Sequence, residues 1–367
     1  MKVAAKNIAQ KSSEKRPVTT IAAVKKAIDK EAAQPIDQFL SSAPQAEIAV
    51  IDVFAKSGES TLMHGDMVKS VITRSGIAEE KVLKLDNQDD ANTSAMLSDL
   101  SWNSGPEPVD QRLDAYIELS AIHLLETTNG KLNGILNSPE SHIRVINQSQ
   151  GKSRVDIFQL MSGYLFSAKN DEDEKEQLLP SALGQNLSKA LDVKFEEPEQ
   201  WGKQLRQKLI NHVDQVVDNS PLVAEARQEH VELLDKLRER GVLVVTSAGN
   251  NHDEMTALEE QGFSVPEDFD DDITAVGHKF VVGAINFGDK NDPSDDKLAE
   301  FSSQYEEVNA WAQGVQVQTD AGLKNGTSFA APILTSAAAK LVNQHPDWST
   351  DQLEEALLAD FAKAPRG

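Results

Sequence analysis

The sequence contains no cysteine among its 367 residues. Disulfides, thiolate zinc sites and a cysteine nucleophile are therefore excluded. No apolar run reaches the roughly 20 residues that cross a bilayer; the longest, residues 329–342, is interrupted by Pro332 and Lys340. Residues 1–17 are polar and basic, with no apolar stretch typical of a secretory leader. We expect a cytoplasmic protein, or one exported without a cleaved signal peptide.

Positive charge is scarce, since 36 Lys and Arg face 59 Asp and Glu and give a formal net charge of −23. A field of this sign repels nucleic acid and anionic membranes, so neither is expected as a partner. The first 30 residues differ, with eight Lys or Arg against two acidic residues. We predict that residues 1–45 form a basic N-terminal arm, either a solvated tail or a propeptide-like segment that docks on the acidic body.

Short apolar runs alternate with longer helical patterns along the chain. The apolar and β-branched runs predict five strands, at residues 46–54, 81–85, 143–147, 242–246 and 280–285. Helical periodicity predicts helices at residues 110–125 and 222–240, and Gly241 ends the second. Strands that are apolar on both faces and separated by helices indicate an α/β fold with a mainly parallel central sheet.

The composition changes between residues 151 and 222. Residues 170–177 are nearly all charged, and residues 201–217 have the pattern of an amphipathic helix. We predict a charged helical insertion at about residues 152–221. It is either a solvated decoration or a lid and docking surface, where a regulatory or inhibitory partner would bind.

The most informative segment is residues 325–332, which read Asn-Gly-Thr-Ser-Phe-Ala-Ala-Pro before an Ala-rich apolar run. A Gly-Thr turn delivers Ser328 to the first turn of a predicted buried helix, where the helix N-terminus stabilises negative charge. This is a suitable position for a nucleophile. Ala330 replaces the glycine that a G-x-S-x-G elbow requires, which argues against an α/β-hydrolase.

Three upstream residues are candidates for the groups that a serine nucleophile needs. Asp52 ends a predicted strand, and a carboxylate there lies at the functional edge of a parallel sheet. His64 stands before a predicted helix, 12 positions after Asp52. Asn250 closes the run Thr-Ser-Ala-Gly-Asn after another strand. Each residue alone is also explained as a turn, surface or core residue.

The order and local context of Asp52, His64, Asn250 and Ser328 resemble those of subtilisin-like serine proteases, over about residues 46–361 apart from the insertion. The resemblance implies a three-layer α/β/α sandwich and a serine endopeptidase that acts on protein or peptide substrates. Ser328 would be the nucleophile, His64 the base, Asp52 its orienting group and Asn250 the oxyanion donor. The implied substrate-binding residues are Gln148, Ser149, Gln150, Gly151, Ser247, Ala248 and Gly249.

Several residues depart from the family pattern, namely Val53 and Phe54 after the aspartate and Asp66, Met67, Lys69 and Ser70 after the histidine. Val53 stands where a Ser or Thr hydroxyl would bond the aspartate, and Asp66 adds a charge that is expected to raise the pKa of His64. The short spacing between Asp52 and His64 predicts a loop in place of a helix. An alternative to the protease is therefore a non-catalytic, peptide-binding pseudoprotease of the same fold.

No cofactor is required by this chemistry, and no motif for a metal or nucleotide is present. The acidic run at residues 267–272 is either a site for a structural calcium ion or a solvated loop. The absence of EF-hand spacing favours the solvated loop. The base of the substrate pocket is expected within residues 252–270. Acidic residues there point to basic substrates, unless they are ordinary surface charges.

Overall fold

The computed structural model describes residues 19–361 except for short stretches, which are 35, 37–38, 41–42, 57–58, 60, 88–90, 103–105, 139–140, 171–175 and 288–295. Within the described residues, none of the helices combines the length and the apolar composition that a bilayer crossing needs. The helices are α1 (Ile21–Ala32), α2 (His64–Arg74), α3 (Ala91–Trp102), α4 (Val109–Asn137), α5 (Arg154–Ser162), α6 (Ala182–Ala190), α7 (Pro198–Asn219), α8 (Pro221–Glu239), α9 (His252–Glu260), α10 (Thr327–Gln344) and α11 (Thr350–Phe361).

A seven-stranded sheet forms the centre of the fold. Its strands are β1 (Ile48–Asp52), β2 (Val82–Asp86), β3 (Val145–Gln148), β6 (Leu243–Ser247), β7 (Phe280–Asn286), β8 (Lys297–Leu298) and β9 (Val308–Gln313). The order is β2-β1-β3-β6-β7, and β7 also pairs with β9 and β8; all pairs are parallel except that of β7 with β8. Two hairpins lie outside the sheet, β4 (Phe166–Asn170) with β5 (Glu176–Pro180) and β10 (Val317–Thr319) with β11 (Gly322–Lys324).

Helices cover both faces of the sheet, because successive side chains of each strand point to opposite faces. In β1, Ile48 and Val50 enter one core with α2, α10 and α11. Ala49 and Ile51 enter a second core with the C-terminal part of α4 and with α8. The predicted three-layer α/β/α arrangement with a mainly parallel sheet is therefore confirmed. The five predicted strands correspond to β1, β2, β3, β6 and β7 within a few residues at each end.

Helix α4 is much longer than its prediction, which ended at residue 125. It continues to Asn137 through Thr-Thr-Asn-Gly, a run that reads as a loop. A Cβ atom at Gly130 would lie 2.0 Å from the carbonyl oxygen of Ala32, so the glycine lets the end of α1 cross the helix at close range. This tertiary contact explains a glycine that local propensity disfavours.

The N-terminal arm is in part a core element. Helix α1 packs on α4, and its Val24 and Ile28 side chains are fully buried. Residues 21–32 are therefore not a solvated tail, whereas the propeptide-like interpretation of residues 1–45 stays a prediction. Residues 1–18 lie outside the described residues.

The predicted insertion, residues 152–221, also has a buried face. Val155 and Phe158 of α5 and Trp201 and Leu205 of α7 pack in one hydrophobic cluster with α1 and α4. The indole N–H of Trp201 donates to the Ser188 hydroxyl at 2.8 Å. A purely solvated decoration is excluded by this burial, whereas the role of a lid or docking surface stays a prediction.

The packing of α1 gives a test by stability. Ile28→Ala is expected to lower the free energy of unfolding by about 2–5 kcal/mol, because it leaves a cavity in a filled core. Lys26→Ala on the exposed face of the same helix is the matched control and should change stability by less than about 0.5 kcal/mol. Urea unfolding measures both variants. Equal transition midpoints for the two would show that α1 is not part of the folded core.

Candidate active site

Three neighbouring strands bring the candidate residues to one edge of the sheet. Asp52 is the last residue of β1, Ser149 follows β3, and residues 248–250 follow β6. Strand β3 pairs in parallel with β1 on one side and with β6 on the other. The carboxyl ends of these strands therefore lie side by side, at the edge where parallel sheets bind their ligands.

Asp52 and His64 form a partly buried hydrogen-bonded pair. Nδ1 of His64 lies 2.8 Å from one carboxylate oxygen of Asp52 and 2.9 Å from the other. Asp52 is fully buried, whereas the His64 side chain, at the first residue of α2, is 36% exposed. The backbone N–H of Val53 donates to Asp52 at 2.7 Å, so a main-chain donor serves where the family has a hydroxyl. The described residues between Asp52 and His64 in the chain form no helix, which agrees with the loop predicted there.

The pair controls the charge state of the histidine. Burial alone would lower the pKa of His64, but the hydrogen bond and the negative charge of Asp52 outweigh it and hold the pKa above its ordinary value. Burial raises the pKa of the Asp52 carboxyl, against the opposing hydrogen bonds from His64 and the Val53 N–H. The imidazolium form is therefore stabilised at this site.

Asp66 has a different role from the one predicted. Its carboxylate accepts hydrogen bonds from the N–H groups of Ala55 at 2.8 Å and Met63 at 3.1 Å. It also pairs with Lys84 at 2.6 Å. Burial opposes ionisation, but these partners lower the pKa of Asp66. The raised pKa of His64 comes from Asp52, so the expected effect of Asp66 is wrong.

Ser328 is the second residue of α10 and is buried. The helix begins after Gly326, whose φ of 146° is a conformation that residues with a Cβ rarely adopt. The Ser328 hydroxyl donates to the carbonyl oxygen of Ser149 at 3.0 Å. The Ser149 hydroxyl in turn donates to the carbonyl oxygen of Ser328 at 3.1 Å. Pro332 lacks an N–H and cannot supply the helical bond to that carbonyl, so Ser149 satisfies it instead.

Asn250 is oriented by Thr327. The amide oxygen of Asn250 accepts hydrogen bonds from the Thr327 N–H at 2.8 Å and from its hydroxyl at 3.0 Å. The Thr327 hydroxyl also bonds the backbone of Gly249. Because the oxygen is engaged in this way, the amide N–H₂ group of Asn250 is left to face the cavity that it lines.

A cavity of about 400 Å³ joins these groups. His64, Asn250 and Ser328 line it together. Five of the predicted substrate-binding residues also line it, namely Ser149, Gln150, Gly151, Ser247 and Gly249. Gln148 and Ala248 do not: both are fully buried, with Gln148 turned inward to accept a hydrogen bond from Lys279 at 2.9 Å. Strand alternation explains the difference, since neighbouring residues face opposite sides.

Other lining residues had no recognisable pattern in the sequence. Glu31 of α1 and His123 of α4 meet at 3.0 Å and line the same cavity as His64. Asp270 and Asp272 also line it and are almost fully buried, so the prediction of a solvated loop is wrong for these two. Asp270 lies within residues 252–270, where the base of the pocket was predicted. Glu31 is far from the other lining residues in the chain, and no local sequence pattern indicates it.

The acidic run also bears on the calcium expectation. Within the described residues, the carboxylates of Asp214, Asp218 and Asp268 are close enough to share an ion. Arg154 already lies among them, at 3.3 Å, 2.5 Å and 3.1 Å respectively. The guanidinium supplies the positive charge that this group of carboxylates requires.

Comparison with known proteins places this geometry in a family. A family model described as "Subtilase family" matches residues 17–365. Subtilisin E of Bacillus subtilis (strain 168) and subtilisin NAT of Bacillus subtilis subsp. natto are each 30% identical to the chain over 130 residues, which is 34% of this chain and 30% of each relative. The chain thus spans about a third or less of the length of these curated relatives.

Solved structures give a more distant likeness. The structure of a lanthipeptide protease is 16% identical and covers 89% of this chain and 85% of its own, with a TM-score of 0.37. The structure of the nisin leader peptidase NisP from Lactococcus lactis is 12% identical. It covers 90% of this chain and 85% of its own, with a TM-score of 0.34. The assignment therefore rests on the family model, which matches nearly the whole chain: the protein belongs to the subtilase family.

Proposed function

We propose that the protein is a serine endopeptidase. The observation that carries the proposal is the His64–Asp52 hydrogen-bonded pair in one cavity with Ser328, at the N-terminus of α10. A base, a group that orients the base and a hydroxyl are the parts that acyl transfer from a peptide needs. Asn250, held by Thr327, adds a donor for the developing oxyanion.

In the proposed reaction, the Ser328 oxygen attacks the scissile carbonyl carbon while Nε2 of His64 takes its proton. Asp52 holds the Nδ1–H side of the ring and stabilises the imidazolium. The N–H₂ of Asn250 and the backbone N–H of Ser328 bond the oxyanion. His64 then gives its proton to the leaving amine, and a water molecule, activated in the same way, hydrolyses the acyl-enzyme. The chemistry needs no metal or organic cofactor, so EDTA is expected to leave the rate unchanged.

The substrate is a protein or peptide, bound as an extended chain beside residues 149–151. Main-chain hydrogen bonds would add it to the end of β3, and the cavity would take its side chains. The insertion would serve as the docking surface for a regulatory partner, since Leu160, Tyr164 and Phe195 are exposed on it. No nucleic acid or membrane surface is expected to bind, because the chain carries a net charge of −23.

One observation favours the second candidate, a peptide-binding pseudoprotease. The Ser328 hydroxyl donates to the Ser149 carbonyl, and no hydrogen bond between Ser328 and His64 is present among the described residues. Catalytic hydrogen bonds often form fully only when substrate is bound, so this geometry is compatible with both candidates. A fluorophosphonate separates them, because it reacts only with an activated serine. Labelling at Ser328 supports the protease, and a chain that stays unlabelled supports the pseudoprotease.

The first prediction concerns the nucleophile. Ser328→Ala is expected to lower kcat on a peptide substrate by about 10⁶-fold, the magnitude found for the same substitution in a subtilisin. Ser336→Ala is the matched control, since it removes a buried hydroxyl from the same helix that bonds only the carbonyl of Pro332. Wild-type turnover by Ser328→Ala, with the control equally active, would show that another group is the nucleophile.

The second prediction concerns the oxyanion donor. Asn250→Ala is expected to lower kcat by about 10²–10³-fold with little change in KM, a figure known from a subtilisin and carried over through the family. Asn250→Asp keeps the acceptor for Thr327 but removes the donor, so it should lose at least as much. If Asn250→Asp keeps kcat within about twofold of wild type, the amide does not bond the oxyanion.

The third prediction concerns pH. His64 must be neutral to act as a base, so kcat/KM should rise with pH through the raised pKa of His64, with a midpoint above about 6.5. In the Ser328→Ala background, NMR titration of His64 should give a pKa above that value. Adding Asp52→Asn removes the negative charge and leaves burial as the main influence on the pKa of His64, which should then fall below about 6.5. An unchanged pKa would mean that Asp52 does not control the charge of His64.

A further inference from the structure

Two walls and a floor enclose one end of the cavity. One wall is residues 149–152 after β3. The other is Ser247, Gly249 and Asn250 at the end of β6, and the two walls face each other because the strands pair. Residues 269–273 form the floor. The floor is bonded to the first wall by the N–H of Ile273, which donates to the Lys152 carbonyl at 2.7 Å. It is bonded to the second through Ser303, whose N–H donates to Gly249 and whose hydroxyl donates to the Asp270 carbonyl.

The floor presents two buried carboxylates to the cavity. Asp270 and Asp272 are each 4% exposed. One oxygen of each, Oδ2, takes no hydrogen bond from the described residues. The nearest basic group to Oδ2 of Asp270 is Nδ1 of His252, at 3.5 Å. A buried carboxylate oxygen without a hydrogen-bond donor is unfavourable. A cation or a donor from outside the chain would therefore stabilise these two atoms.

The two carboxylates are not equally available. Asp272 also accepts hydrogen bonds through Oδ1 from the N–H groups of Thr274 at 2.8 Å and Lys152 at 3.2 Å. Lys279, whose pKa burial lowers to about 7, also acts on it electrostatically from the side of Gln148 when it is protonated. Among the described residues, the side chain of Asp270 has only the more distant His252 as a basic neighbour. Asp270 should therefore contribute more than Asp272 to binding a positive charge.

The first wall lets a floor carboxylate approach closely at Gly151. Gly151 has no Cβ, and the position that a Cβ would occupy lies 2.3 Å from Oδ2 of Asp272. The carboxylate thus fills the volume beside Gly151 and faces the cleft. Asp156 and Glu31 also line the cavity, and Lys152 is the opposing charge among the lining residues. The balance around the floor is negative.

We propose that this floor selects a substrate with lysine or arginine immediately before the scissile bond, with Asp270 as the main specificity-determining residue. The inference rests on the proposed peptidase function. A long cationic side chain would pass between the two walls and place its charge against the carboxylates. An apolar side chain would leave both oxygens without a partner, and such losses discriminate strongly between substrates.

The test uses the full chain and four peptides that differ only in the residue before the scissile bond: lysine, arginine, leucine or glutamine. At pH 8, Asp272 is ionised, because burial raises its pKa only to about 6. We expect kcat/KM to be at least about 10-fold higher for lysine or arginine than for leucine or glutamine. Equal or better cleavage after leucine by the wild type overturns the proposal.

Variants then assign the residue. Asp270→Asn keeps the shape of the side chain and should lower kcat/KM on the lysine peptide by about 10-fold or more, with little loss on the glutamine peptide. Asp253→Asn makes the same charge change on exposed α9 outside the cavity and should leave the lysine preference intact. A preference that survives Asp270→Asn and vanishes with Asp253→Asn would overturn the assignment.

Fluorophosphonate labelling distinguishes a failure of the proposed peptidase activity from a failure of the proposed substrate specificity. If Ser328 reacts with the probe in the wild type, the peptidase proposal stands, and the peptide series alone decides the specificity. If Ser328 does not react and no peptide is cleaved, the proposed function fails, and the specificity fails with it. Labelling of Asp270→Asn at the wild-type rate shows that the variant is folded, so its peptide ratios can be interpreted.

Discussion

The hydrogen bonds between the first turn of α10 and the loops after β3 and β6 hold the whole site in place. Ser328 and Ser149 exchange two bonds, each hydroxyl donating to the carbonyl oxygen of the other residue. Thr327 does the same for the other loop, through Gly249 and Asn250. A shift of α10 would therefore break the support of Ser328, the proposed nucleophile, and of Asn250, the proposed oxyanion donor, together. Pro332 fits this arrangement, because the helical bond that it cannot form is replaced by Ser149.

The carboxylates at the site are stabilised mainly by fixed backbone N–H donors and by close contacts with basic side chains. Asp52 depends on His64 and on the Val53 N–H, and Asp66 on two backbone N–H groups and Lys84. Preorganised donors of this kind need little reorganisation when charge develops in a reaction. The Oδ2 atoms of Asp270 and Asp272 are the exception, since they are buried and take no hydrogen bond from the described residues. Such an incomplete arrangement is expected where a ligand supplies the missing partner.

Elements beyond the sheet also shape the cavity. Helix α1 fills a groove on α4 with Val24 and Ile28, and its Glu31 reaches the cavity that contains His64. The helices of residues 152–221 pack in the same cluster as α1 and α4. The N-terminal helix is thus a structural support of the substrate side, and its removal would disturb both stability and the lining.

The sequence alone determined the strand positions and the parallel sheet, and it identified the candidate chemical residues, because each has a local signature. Buried strands read as apolar runs, and Asp52, His64, Asn250 and Ser328 stand in short characteristic segments. It did not determine the length of α4, since Gly130 is explained only by the approach of Ala32. Nor did it determine that Asp66 pairs with Lys84, that Gln148 turns inward, or that Glu31 joins the cavity. Those outcomes depend on which residues distant in the chain meet in space, and only the tertiary structure decides which charges are paired and which are left to face the cavity.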